Sequence, residues 1–427
     1  MVIRVWIVQY IIEFDGEHVA LHKSIYLKGE RMKTRKSLFK LFSLLLLASL
    51  ALAACGPAAT EVPAATEPPA ATDAPATAVP ATEPPAADPM ADLIAAAQAE
   101  GMLTTIALPH DWCNYGEAIE TFKTKYGLEV NELNPDAGSG DEIEAIKANK
   151  DNPGPQAPDV IDVGFAFGPS SKAEGLIQPY KVSTWDSIPD DAKDAEGYWY
   201  GDYYGVLSFL VNTDVQPDVP QDWADLLDPK YNGQIALSGD PRTSNQAIQS
   251  VFAASLANGG SLDDAQPGLD YFAQLNSAGN LVPLIANNGL VATGETAVRI
   301  TWDYNALSAI DSFEGNPAAQ VVIPASGRFA GVYVQAISAY APHPNAAKLW
   351  MEFLYSDEGQ TIWMKGYCHP IREQDMRDRG VIPADLLAKL PDVSGAVFPT
   401  VAQLDAAKAL ITTNWDAAVG ANIQAAP

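Results

Sequence analysis

Cationic side chains are scarce in this sequence: 26 Lys and Arg stand against 53 Asp and Glu, for a formal net charge of -27. A surface of that sign repels phosphate backbones and anionic bilayers, so nucleic acid and charged membrane surfaces are not expected partners. It would draw in cations, unless a local Arg reverses the field inside a pocket. Histidine is equally sparse, five in all and none at ligand spacing, so neither metal nor cofactor is expected. Cysteine numbers three. Long apolar runs are also lacking. The stretch from Leu41 to Ala54 is shorter than the roughly 20 residues that cross a hydrocarbon core, so a permanent transmembrane helix is not expected.

That stretch has another use. Lys33, Arg35, Lys36 and Lys40 precede it, and Leu52-Ala53-Ala54-Cys55 ends it. A basic region, a short apolar region, small residues and then cysteine is the order of a cleaved export signal with a modified cysteine. LAAC resembles the bacterial lipobox, which implies diacylation of Cys55 and a mature chain that begins there. Residues 1–31 are then an upstream extension with Met32 as the true start, 32–54 the signal peptide, and 55–90 the lipidated Cys55 and its linker. From Gly56 to about Pro89 the chain is Ala, Pro and Thr with scattered acids. Such a segment has nothing to bury and is expected to stay extended.

Residues 91–427 carry ordinary globular patterning; the whole chain is 48% hydrophobic and 19% charged. Met102 to Leu108 reads as a strand, Glu117 to Tyr126 as a helix, Leu128 to Leu133 as a strand, Ser139 to about Lys150 as a helix and Asp159 to Phe165 as a buried strand. This alternation predicts an α/β fold with a mostly parallel sheet flanked by helices. A second such region runs from Gly233 through the loop GDPRTSNQ to a helix from about Asn245 to Leu256, and Tyr204 to Asn212 reads as a strand-like connection. Two lobes are expected, the first mainly 91–205 with later returning segments and the second mainly 206–320.

The stretch GRFAGVYVQAISAYAPHPNAAKLWMEFLYSDEGQ resembles the late segment of the family 1 extracellular solute-binding proteins of ABC importers. APDVIDVGFAF, GVLSFLVNTD, DWADLLDPKYNGQIAL and GETAVRITWDYNA resemble its earlier segments in order. The resemblance implies a two-lobed periplasmic-binding-protein-like fold with a ligand cleft between the lobes. The partners it implies are a small-molecule solute and an ABC permease, with the chain exported, held at the outer face of the cytoplasmic membrane by its lipid, monomeric and not an enzyme. A lipid-anchored adhesin, or a cell-surface hydrolase with Cys113 as nucleophile or with Asp240 or Asp303 as acid or base, are the alternatives.

Cleft candidates are set by position. Trp112, Asn114 and Tyr115 lie in the loop after the first strand, where aromatic and polar groups exceed what a turn needs. Ser139 and Gly140 open a helix, Phe165 ends a strand, and Asp240, Arg242, Thr243 and Ser244 precede the second-lobe helix. Arg242 is suited to grip a carboxylate or phosphate, or to pair with a neighbouring acid. Trp302, Asp303, Tyr304 and Asn305 are similar to the ligand-facing segment of polyamine-binding relatives. Tyr333 and Gln335 fall where those relatives carry an aromatic and an acid, so Gln335 weakens the polyamine reading unless Asp303 supplies the charge. Tyr204, beside Tyr203, is read as cleft lining or core and not as an iron ligand. With Cys55 lipidated in an exported chain, Cys113 and Cys368 are left to pair as a disulfide.

Overall fold

The computed structural model describes residues 88–426. The upstream extension, the signal peptide, Cys55 and the linker as far as residue 87 lie outside the described residues. The chain divides into two units at Glu83/Pro84, and the described residues all fall in the second. This unit opens with a helix at Pro89–Glu100, whose first two residues fall in the stretch read as linker. Asp88 accepts from the Met90 N–H at 3.0 Å, Pro89 occupies the first turn, and Gly101 at φ 77° ends the helix. Pro at the start and Gly past the end are boundary signals that an Ala/Pro composition hides.

Eleven strands are described: β1 (Met102–Ile106), β2 (Glu129–Leu133), β3 (Val160–Gly164), β4 (Ile177–Gln178), β5 (Tyr200–Asn212), β6 (Ile235–Leu237), β7 (Leu281–Ile285), β8 (Val298–Trp302), β9 (Ala319–Val322), β10 (Ala330–Ser338) and β11 (His369–Pro370). β1 and β2 form a parallel pair, as the strand-helix-strand pattern predicts. The main sheet runs β3-β10-β5-β8-β6-β7, with β4 on β10 and both β9 and β11 on β5. It is mixed. β6 is parallel to β7 and β8, whereas β10 runs against β3 and β5, and β5 runs against β8. The mostly parallel expectation is corrected here for a definite reason: β5 carries the chain from the first half into the second, and β9 and then β10 carry it back along the same strand, from Asn212 to Tyr200, so both run against it.

β5 belongs to both halves of the domain. Its residues from Tyr200 to Val206 pair with β10, and those from Leu207 to Asn212 pair with β8 and β9. Thirteen residues long and almost wholly buried, it is the connection read as Tyr204 to Asn212, extended backwards by four residues. The register between β5 and β10 slips between Tyr333 and Val334. The first half is centred on Tyr115, Phe122, Trp350 and Phe353, whose rings pack at 5.1–6.5 Å. In the second, Trp223, Tyr271, Phe272 and Trp415 pack in the same way. Trp415 lies on the helix Val401–Ala418, so the last long helix also belongs to the second half.

Candidate functional site

A cavity of about 660 Å³ lies between the halves. One wall comes from the loop after β1, from residues 135–139 at the start of the helix Ser139–Asn149, from Asp162 of β3 and from Tyr333 of β10. The other comes from residues 238–240 and 243–246 at the start of the helix Asn245–Ala257, from residues 285–289, from Arg299 of β8 and from Asn305 in the helix Asp303–Phe313. Ala425 and Ala426 complete the lining. Loops at strand ends and helix starts therefore converge, as they do at ligand crevices in α/β folds.

The loop after β1 is held rigidly. Trp112 N–H donates to the Pro109 carbonyl and Tyr115 N–H to that of Trp112, each at 3.0 Å. Cys113 is joined to Cys368 by a disulfide with Cα atoms 5.6 Å apart. The late turn approaches so closely that a Cβ on Gly366 would meet the Cys113 carbonyl carbon at 2.5 Å, so only glycine fits there. Trp112 thereby reaches the cavity wall, edge-on to Tyr304 and Tyr333, with its indole N–H donating to Tyr203 Oη at 2.6 Å.

Behind Trp112 is a buried acidic network. Tyr203 and Tyr115 donate to the same oxygen, Asp162 Oδ2, at 2.5 and 2.8 Å, while Gln335 Nε2 donates to Tyr115 Oη and to Asp202 Oδ2. Glu142 accepts the Asp162 backbone N–H at 2.9 Å. Asp162 lines the cavity, and its Oδ1 is buried with no hydrogen-bond partner among the described residues. Burial pushes the Asp162 carboxyl up to about 7, against the opposing pull of the two tyrosine hydroxyls. Burial, and then the charge of Asp162, likewise raise Glu142 and Asp202 well above the carboxylate range.

The facing wall carries a cation. Arg299 Nε donates to Ser238 Oγ and Nη1 to Asn288 Oδ1, both at 2.7 Å and both neutral acceptors. Burial depresses its guanidinium to about 10, and the charge of Asp111 opposes this. Several bonds bridge the two walls: Gly140 N–H to the Thr243 carbonyl at 3.2 Å, Asn288 Nδ2 to Asp111 Oδ2 at 2.9 Å, and Ser308 Oγ to the Asp111 carbonyl at 3.1 Å.

Of the residues selected from sequence, Trp112, Ser139, Asp240, Thr243, Ser244, Asn305 and Tyr333 line the cavity. The others lie elsewhere. Asn114 bonds Glu117 Oε2 at 2.7 Å, and Tyr115 and Gln335 sit behind the wall in the acidic network. Gly140 abuts the Thr243 carbonyl, and Phe165 packs against Trp199. Tyr204 stacks on His369 while Tyr203 faces Asp162, because neighbours on a strand point to opposite faces. The two tyrosines therefore form no common site.

Arg242 is turned away by its own loop. Its Nε donates to both oxygens of Asp240 at 2.9 Å, and its Nη atoms reach Asp416, Asn422 and the Ile423 carbonyl. Trp302, Asp303 and Tyr304 are fully buried. Asp303 accepts the Val206 and Tyr304 N–H groups at 3.1 and 2.9 Å, and burial raises it to about 7. The helix that starts at Asp303 brings only Asn305 of that segment to the cavity.

Asp162 and Arg299 escape a reading of the sequence, although each is a lone charge in an apolar strand, VIDVG and VRITW. A charge in such a place is costly unless it serves something.

A cavity between two halves of one mixed sheet defines the class of two-lobed binding proteins. The chain belongs to the bacterial extracellular solute-binding proteins, whose family model matches residues 156–386. It is 28% identical over 266 residues to an uncharacterized protein of Haemophilus influenzae, covering 58% of this chain and 71% of that one. It is also 28% identical over 195 residues to the probable ABC transporter periplasmic-binding protein y4fP of Sinorhizobium fredii, covering 44% of this chain and about half, 52%, of the relative. In fold it is similar to the periplasmic binding protein AfuA from Actinobacillus pleuropneumoniae, solved with exogenous fructose-6-phosphate bound. The TM-score is 0.58 at 24% identity, over 74% of this chain and 98% of that one. By family the protein is thus an extracellular solute-binding protein.

Proposed function

We propose that the chain is a monomeric receptor, tethered through a lipid on Cys55, that traps a small polar solute by closure of its halves and passes it to an ABC permease. The observation that supports this most is the set of hydrogen bonds across the cavity, above all Gly140 to Thr243 and Asn288 to Asp111. Such bonds form only when the walls approach, so a solute that touches both walls favours this arrangement over an open one. No bond in the solute needs to be made or broken.

The test uses the mature chain from Cys55, with fructose 6-phosphate, putrescine and ferric citrate as first probes. A solute at about a hundred times its dissociation constant is expected to stabilise the protein by about 2.7 kcal/mol and to lower the radius of gyration in solution scattering. Turnover of the solute, or binding without compaction, would count against the receptor reading. Metabolic labelling with a fatty acid tests the tether, since Cys55→Ser is expected to abolish incorporation and to release the protein from membranes.

A further inference from the structure

The two walls of the cavity differ in sign. The first-half wall offers acids: Asp162, 5% exposed, carries an unpartnered acceptor, Oδ1, and Glu142, which also lines the cavity, accepts its backbone N–H. Both tyrosine hydroxyls that reach Asp162 are spent on Oδ2. The second-half wall offers donors, and its one acid, Asp240, is paired with Arg242. Arg299 is held by two neutral oxygens and by no carboxylate. Asn305, 7% exposed and on the cavity wall, has an Nδ2 without a partner. The start of the helix Asn245–Ala257 also faces the cavity, and its first N–H groups have no acceptor within the helix.

Each wall alone excludes one simple class of ligand. A free inorganic anion would gain Arg299 but face Asp162 and Glu142, while a diamine would gain Asp162 and bring its second charge towards Arg299. Buried polar and charged groups are costly until something pairs them, and one molecule can pair both walls only if its ends differ. We infer that the solute is bipolar: a phosphate, phosphonate or carboxylate at one end, held by Arg299, Asn305 and the helix start at Asn245, and an ammonium or hydroxyl donor at the other, received by Asp162. This rests on the reading of the cavity as the solute site.

Calorimetric titration of the mature chain tests it with four probes: phosphoethanolamine and glycerol 3-phosphate, which have both ends, inorganic phosphate, and putrescine. At least one two-ended probe is expected to bind ten times or more tightly than phosphate or putrescine. Arg299→Gln should weaken that probe a hundredfold or more, and Arg299→Lys, which keeps the charge, should weaken it less. Asp162→Asn should weaken the two-ended probe at least tenfold while strengthening phosphate, which loses a repelling charge, an opposite pair of effects that general damage to the fold would not produce. Preference for putrescine, no binding of either two-ended probe at millimolar concentration, or indifference to Arg299→Gln overturns the inference. If putrescine binds with compaction, the receptor reading stands and only the bipolar solute fails. If a probe binds and neither Arg299→Gln nor Asp162→Asn alters it, the cavity itself is not the site and both fail.

Discussion

Gly164 gives the most direct test of closure. It ends β3 in the first half, and Asn245, the first residue of the helix Asn245–Ala257 in the second half, lies against it. A Cβ built on Gly164 would lie 1.9 Å from Asn245 Cγ, 2.1 Å from Oδ1 and 2.3 Å from Nδ2. Ordinary contact is about 3.5–4.0 Å, so in Gly164→Ala the Asn245 amide must retreat by roughly 1.5 Å. The φ of Gly164 lies outside the left-handed region, so alanine adds no backbone strain.

Overpacking of this kind costs about 1–3 kcal/mol. If the contact exists only when the halves are together, the whole cost falls on the solute-bound state and weakens binding roughly 5- to 150-fold. Gly140→Ala, whose Cβ would meet the Thr243 carbonyl at 3.1 Å, is expected to do the same more mildly. Adding Asn245→Ala to Gly164→Ala removes the clashing atoms and should restore compaction in scattering. Calorimetric titration reads the affinity, and a melt without solute reads the fold. An affinity equal to wild type would mean that the bound state does not need this contact, and closure as described would be wrong. A solute-free melting temperature that falls in step with the affinity would be equally damaging, because the contact would then be permanent core.

Three further outcomes are expected. Arg242→Ala should bind solute within about threefold of wild type but lose about 1 kcal/mol of stability, because Arg242 holds Asn422 and Ile423 and not the cavity; a large loss of affinity in titration would return it to the site. Reduction, or Cys113→Ser with Cys368→Ser, should lower stability by about 2–4 kcal/mol, since the bond closes a loop with a sequence separation of 255; melts with and without reductant check this. Asp162, at about 7 in the folded chain against about 3.9 unfolded, retains a proton that the unfolded chain has already lost between those values. Its contribution is therefore full below pH about 4 and declines as pH rises towards 7. Asp162→Asn, neutral throughout, should gain about 1–3 kcal/mol on wild type between pH 5 and 7 in urea titrations; an equal pH dependence in both proteins would rule this out.

Much of the fold was legible because local signals agreed with it. Alternating strands and helices gave β1, β2, β3 and the helices between them, and the long apolar stretch around VLSFLV gave most of β5. The antiparallel course of β10 was not legible, since a strand's neighbours depend on where the chain returns from and not on its own residues. The site divided along the same line. Trp112, Ser139, Thr243 and Ser244 come after strands or open helices, and position alone places such residues at a crevice. Arg242 read either as an anion grip or as the partner of a neighbouring acid, and Asp240 two residues earlier makes it the second, whereas Arg299 and Asp162 were hidden because apolar neighbours made their strands look like core. Trp302, Asp303 and Tyr304 looked exposed to solute, but the helix they open turns them inward, where Asp303 satisfies the Val206 and Tyr304 amides.

The bond between Cys113 and Cys368 also carries information about time. Disulfides persist in oxidising compartments and not in the reducing cytosol, so the newly made chain holds two thiols at Cys113 and Cys368 where the exported protein holds a bridge. The loop that presents Trp112 is thus fastened to the late turn only after the chain has crossed the membrane. Once outside, the same chain locks its ligand loop in the compartment where the solute is found.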